Sequence, residues 1–178
     1  MRNTLGIQGS SVPITLDIRT ATLEDCEALR RFATDLFSEC LPGIYRRPAP
    51  TADVERAFIT SRLEPSNATM LVATLGPDVI GLLDFLGGAY SEDAHAGVFG
   101  VSVASAYRGQ GIGTALIGSL REWAPAHGIL RVEAHAWSNN PGSIRLYERL
   151  GFVVEGVRSG AIMFDGQAVD VSILARSV

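Results

Sequence analysis

Residues 107–113 read YRGQGIG, with Gly109, Gly111 and Gly113 at alternate positions just before a helical pattern begins. Ordering glycine costs conformational entropy, so such a cluster marks a backbone that must stay bare or bend unusually. The apolar run VFGVSVA before it reads as a strand. Leu116, Ile117, Leu120, Trp123 and Ala124 after it mark one helix face that stops near Pro125 and Gly128. A second buried-looking strand, ILRVEAHAW, follows. Strand, bare loop, helix and strand imply a parallel pair joined by a crossover. Amides at a helix N-terminus, aided by the helix dipole, make an anion site, and Arg108 would add charge at its rim. Taken alone, the glycines fit a tight strand-to-helix turn with no ligand equally well.

The remaining elements arrange themselves around this unit. Residues 1–13 are polar and are expected to be flexible. Ile14 to Arg19 predicts a short strand, and Thr22 with Asp25 forms a capping-box pattern before a helix carrying Leu29, Phe32, Leu36 and Phe37. LPGIYRRPAP is a loop, and a second helix starts with Thr51 as N-cap. MLVATL and VIGLLDFL form an antiparallel hairpin across a Gly-Pro-Asp turn. NNPGSIRLYERLGF carries a full helix grammar: Asn140 at the N-cap, Pro141 at the first position, Gly151 as left-handed cap and Phe152 folding back. The tail holds two strands around Asp165-Gly166, a type I′ hairpin signal. The order is therefore strand, two helices, three strands, helix, strand, helix, two strands. Residues 14–178 read as one domain, without repeat, linker or low-complexity tract.

Composition removes several function classes. The chain has 178 residues, 47% of them hydrophobic and 19% charged, a globular balance. A formal charge of −4 argues against a nucleic-acid partner. All 15 basic residues are Arg. Cys26 and Cys40 have neither a C-x-x-C spacing nor a nearby His, so no metal site and no disulfide framework is expected. The N-terminus lacks a signal-peptide core and no apolar run spans a bilayer, which predicts a cytoplasmic protein with no membrane partner.

Three phosphate loops compete. A Walker A loop needs a Lys that this chain does not have. A G-x-G-x-x-G fingerprint fails at its sixth position, which is Thr114 counted from Gly109 and Leu116 counted from Gly111. RGQGIG instead resembles the Q/R-x-x-G-x-G/A pyrophosphate loop of the GNAT superfamily of N-acetyltransferases. IRTATLED resembles that family's opening strand and helix start. NNPGSIRLYERLGF resembles its second acetyl-CoA motif, with Ser143 where Ala is usual. The resemblance spans about residues 14–176.

It implies an α+β fold: a mixed, mostly antiparallel sheet of six to seven strands with one parallel, splayed pair, flanked by four helices. It implies acetyl-CoA as co-substrate, with main-chain contacts from Val101, Ser102 and Val103 and a bulge near Gly100. The pyrophosphate would rest on Arg108, Gly109, Gln110, Gly111, Ile112, Gly113 and Thr114. Asn140 would touch the pantetheine arm, serve as plain N-cap, or both. Tyr147 corresponds to the tyrosine that protonates the departing thiolate, after a neutral amine has attacked the thioester through a tetrahedral intermediate; otherwise it is a packing residue. The general base stays open. The family's frequent Glu on the strand before the loop falls at Val98 here, a departure. Glu133, His95, His135 or a water chain are the alternatives. Glu39, Tyr45, Asp84, Glu92 and Asp93 lie in segments that hold the acceptor, a small amine or a protein N-terminus. A homodimer is common in the family. A non-catalytic domain that senses acetyl-CoA would share the loop, and Tyr147 favours catalysis over it.

Overall fold

The computed structural model describes residues 16–178. The expectation for residues 1–13, and the first two residues of the predicted opening strand, lie outside them. Seven strands form one sheet in the order β1-β2-β3-β4-β5-β7-β6. They are β1 (Asp17–Thr20), β2 (Ala68–Leu75), β3 (Asp78–Gly87), β4 (Ala96–Val103), β5 (Arg131–Trp137), β6 (Val153–Phe164) and β7 (Gln167–Ser177). Four helices flank the sheet: α1 (Cys26–Ser38), α2 (Ala52–Leu63), α3 (Ile112–Trp123) and α4 (Pro141–Arg149). The element order is the one the sequence pattern gives, and within the described residues the opening strand covers Asp17–Thr20. Among the described residues, no helix is long and apolar enough to cross a membrane.

Period and capping explain the elements. Ile112, Leu116, Ile117 and Leu120 form the buried stripe of α3. Leu29, Phe32, Ala33 and Leu36 do the same for α1. Asp25 accepts from the Thr22 amide at 2.8 Å and from both Nη atoms of Arg19 at 2.7 Å, tying β1 to the start of α1. Thr51 Oγ1 accepts from the Val54 amide at 3.3 Å and caps α2. Asp165 and Gly166, with φ of 50° and 77°, make the tight turn between β6 and β7.

One sheet face packs on α3 and α4 through Phe85, Phe99, Val132, Ala134 and Leu174. The other packs on α1 and α2 through Met70 and Val72. The feature that positions the site is the seam between β4 and β5. These parallel strands pair only from Ala96↔Arg131 to Phe99↔Ala134. Both strands continue beyond that point, β4 to Val103 and β5 to Trp137, without pairing to each other. The expected bulge near Gly100 is absent: β3 and β4 stay in unbroken register from Gly81↔Val103 to Gly87↔Gly97. The strands part because the β4–β5 ladder stops after Phe99, not because β4 buckles.

Candidate active site

The parted strands open a cavity of about 750 Å³. Its walls come from both faces of the sheet, so it passes through. Val101, Val103, Ala136 and Tyr147 line it on the α3/α4 side, and Ser102 and His135 on the other. Alternation along each strand dictates this division. Phe99 and Ala134 pair with side chains in the α3/α4 core, so the next residues, Gly100 and His135, face the opposite way.

The glycine loop forms one end. Gly109 and Gly111 have φ of +75° and +84°, conformations that a Cβ would strain. A Cβ added at either would meet no protein atom within 4 Å, so the backbone faces open space. The first helix amide with a backbone acceptor is Ala115, bonded to Gly111 O at 2.9 Å. The amides of residues 109–114 precede it and have no backbone acceptor. With the positive end of α3 behind them, they suit a pyrophosphate.

Not every predicted loop residue faces the cavity. Arg108, Gly109, Gly111, Ile112, Gly113 and Thr114 line it, while Gln110 turns away and donates to Ala106 O at 3.1 Å. Arg108 is already engaged: Nε donates to Val103 O at 2.8 Å and Nη1 to Glu39 Oε2 at 2.6 Å. Its charge is thus shared with Glu39, one oxygen of whose carboxylate it occupies.

The chain between α1 and α2 roofs the cavity with Leu41, Pro42, Gly43 and Ile44. Asn140 caps α4 through Oδ1, accepting from the Ser143 amide at 3.3 Å, and its Nδ2 donates to Pro42 O at 3.1 Å. Tyr45 stacks edge-on with Trp137 at 5.3 Å. Arg46 pairs with Asp165 at 2.6 Å and lies 4.7 Å over the Phe164 ring. These ties fasten the roof to the loop, α4, β5 and the β6–β7 turn. Sequence reasoning assigned this stretch to the acceptor and missed its place over the cleft, as it missed Trp137. The signal was there: Leu41, Ile44 and Tyr45 are too apolar for a connector that covers nothing.

Tyr147 is 5% exposed and packs edge-on against Phe99 at 5.6 Å. Burial pushes its phenol up to about 12, so it stays a neutral donor across the physiological range. Glu133 does not line the cavity. It sits two residues before His135 on the same strand face, and its Oε1 is 2.8 Å from His135 Nε2. Its Oε2 accepts from Arg131 at 3.3 Å, and Arg131 also pairs with Glu155. His135 does line the cavity. The other candidates are elsewhere. His95 contributes its carbonyl to the Leu130 amide at 2.8 Å and does not line the cavity. Glu92 accepts from Ser91 at 2.8 Å and Asp93 from the Tyr90 amide at 2.9 Å, both in the β3–β4 connection. Val98 is 40% exposed on the His135 face and offers no base.

Known proteins share this chain's family profile and its fold. The sequence profile of the Acetyltransferase (GNAT) family matches residues 30–152. The L-amino acid N-acetyltransferase AaaT of Escherichia coli K12 is 26% identical over 89% of this chain and 96% of its own. Ribosomal-protein-alanine N-acetyltransferase from Brucella melitensis superposes with a TM-score of 0.83 at 24% identity, covering 92% of this chain and all of that one, 100%. YncA of Salmonella typhimurium, solved with its cofactor acetyl-CoA, gives 0.81 at 23% identity over 91% of this chain and 93% of that one.

Proposed function

The chain belongs to the acetyltransferase (GNAT) family, and from that footing we propose that it carries the acetyl group of acetyl-CoA to the primary amine of a small acceptor. It is an acyltransferase, as its N-acetyltransferase relatives are. The relative named for L-amino acids covers nearly the whole chain and favours an amino acid over a protein N-terminus.

The observation that carries the reading is the cleft through the sheet, with Tyr147 on one side and His135 on the other. The bare amides of residues 109–114 would hold the pyrophosphate, and Val101, Ser102 and Val103 would run beside the pantetheine arm. Acetyl-CoA supplies an activated thioester whose sulfur leaves as the amine nitrogen bonds to the carbonyl carbon.

The protein has two protons to manage. An ionised Glu133 can only accept, so the proton between it and His135 resides on Nε2. Nδ1 is then the free lone pair, available to take the proton the amine loses. Glu133 is a positioning residue: it fixes the tautomer and steadies the imidazolium that forms. On the far side, the Tyr147 hydroxyl donates to the departing sulfur. A phenol at about 12 is a weak acid toward an ordinary thiol. Beside the same buried ring the thiolate would also be destabilised, which brings the two closer in basicity. A neutral amine and a thioester thus become an amide and a thiol, with both protons accounted for.

The test is release of free thiol from acetyl-CoA with a panel of L-amino acids, polyamines and short peptides. Turnover with one of them is the expected result. Binding of acetyl-CoA without turnover of any acceptor would instead identify a non-catalytic sensor.

A further inference from the structure

On the His135 face, the register lines up three positions across the sheet. Asp84 on β3 pairs with Gly100 on β4. Gly100 and His135 are the first residues beyond the last β4–β5 pair, Phe99↔Ala134. The row therefore reads carboxylate, no side chain, imidazole, and the empty position is where the strands begin to part. Two paired strand spacings would be about 10 Å, and the parting of β4 from β5 sets the outer backbones farther apart than that. A Cβ at Gly100 would stand 3.1 Å from Asp84 Oδ1, the only close contact it would make among the described residues. Oδ2 faces the other way and accepts from Arg62 Nε at 3.2 Å, with the Arg62 guanidinium 4.9 Å over Phe58. Oδ1 is thus the oxygen beside the space above Gly100.

The structure assigns Asp84 Oδ1 as the acceptor's docking point, receiving its ammonium above Gly100 between the carboxylate and His135. This rests on the acetyltransfer reading and adds to it a choice of acceptor: a primary ammonium with a slender approach. Burial pushes the Asp84 carboxyl up, and Arg62 offsets this only in part. A second cation at Oδ1 would add to the counter-charge that Arg62 supplies at Oδ2. The bound ammonium first releases one proton to solvent and turns the freed lone pair into the cleft; the second proton, lost as the C–N bond forms, goes to His135. No bond to Asp84 forms or breaks.

The test measures steady-state kinetics of Asp84→Asn and Gly100→Ala with the best amine of the panel, beside the acetyl-CoA-induced rise in Tm. Losing a charge-assisted hydrogen bond raises KM for the amine about 10–100-fold in Asp84→Asn. In Gly100→Ala the added methyl intrudes on the same space and raises that KM as well. In both variants kcat falls by less than the KM rises and the acetyl-CoA shift is kept. If Asp84→Asn does not fold, Gly100→Ala decides. An unchanged KM, or a KM rise matched by loss of the acetyl-CoA shift, overturns the assignment and leaves acetyl transfer standing. Absence of turnover in the wild type overturns both.

Discussion

His135 Nε2 lies 2.8 Å from Glu133 Oε1, and the two residues share one face of β5 with only His135 reaching the cleft. Replacing His135 by Gln removes the proton acceptor and lowers kcat about 10²–10⁴-fold, the usual worth of a positioned base. Glu133→Gln keeps an oxygen for Nε2–H and loses only charge, so its kcat falls less, about tenfold. Added imidazole restores part of the activity of His135→Gly and none of that of Glu133→Gln. Equal losses in both single variants with no rescue would assign the pair a structural role only.

Tyr147→Phe lowers kcat about 10²-fold with unchanged affinity for acetyl-CoA, because only the donor to sulfur is lost. The same variant has a stability signature. A phenol held at about 12 in the folded protein stays protonated while the unfolded chain ionises near its reference value of about 10. Stability from this group is complete below about pH 10 and is lost as pH rises from there to about 12, by up to ~3 kcal/mol. Denaturant unfolding at pH 9 and pH 11 reads it: the wild type weakens over this interval more than Tyr147→Phe does. Parallel loss in both would deny the phenol its burial.

Gly111→Val abolishes acetyl-CoA binding. A β-branched residue is strained at φ +84°, and its side chain enters the space the amides face. The wild type, with millimolar acetyl-CoA against a micromolar site, gains ~4 kcal/mol of stability, seen as a rise in Tm that NAD and ATP do not give. The variant folds, somewhat less stably, and shows no rise. A folded variant with wild-type affinity by calorimetry would move the cradle elsewhere.

Asp25→Asn destabilises the fold by about 1–2 kcal/mol, as the charge is lost from part-buried hydrogen bonds to Arg19 and Thr22. The hydrogen bond from Arg19 holds the Asp25 carboxyl below its usual range, and the Thr22 amide adds to this. Its stabilisation is present above the unfolded-state value of about 3.9 and fades as pH falls through the lower folded-state value. Urea midpoints at pH 7 and pH 3 should converge between wild type and variant at the lower pH.

The architecture was legible because local signals agreed with one another. The glycine loop, the Asn140-Pro141 helix start and the Asp165-Gly166 turn each fix a backbone conformation within a few residues. The function of side chains was less legible, since it depends on how strands are registered. Glu133 and His135 look interchangeable in sequence, and only the end of the β4–β5 ladder at Phe99↔Ala134 decides which of them borders the cleft. Arg108 reads as a free cation until the fold brings Glu39, 69 positions away, to its side. The bulge forecast at Gly100 failed because a strand can leave its neighbour by ending a ladder as well as by kinking.

That short ladder also governs how the molecule comes apart. Along the backbone, four register pairs and the α3 crossover join strands β1–β4 to strands β5–β7, and the core of Phe85, Phe99, Val132, Ala134 and Leu174 spans the same seam. Each group is laced far more extensively within itself. Separation of the two groups would tear that shared core, so the amides of β4 and β5 beyond Phe99 and Ala134 that face the gap exchange by local opening, ahead of the rest of the sheet. A molecule lying lengthwise in the gap and bonded to both banks would slow the exchange of those amides alone.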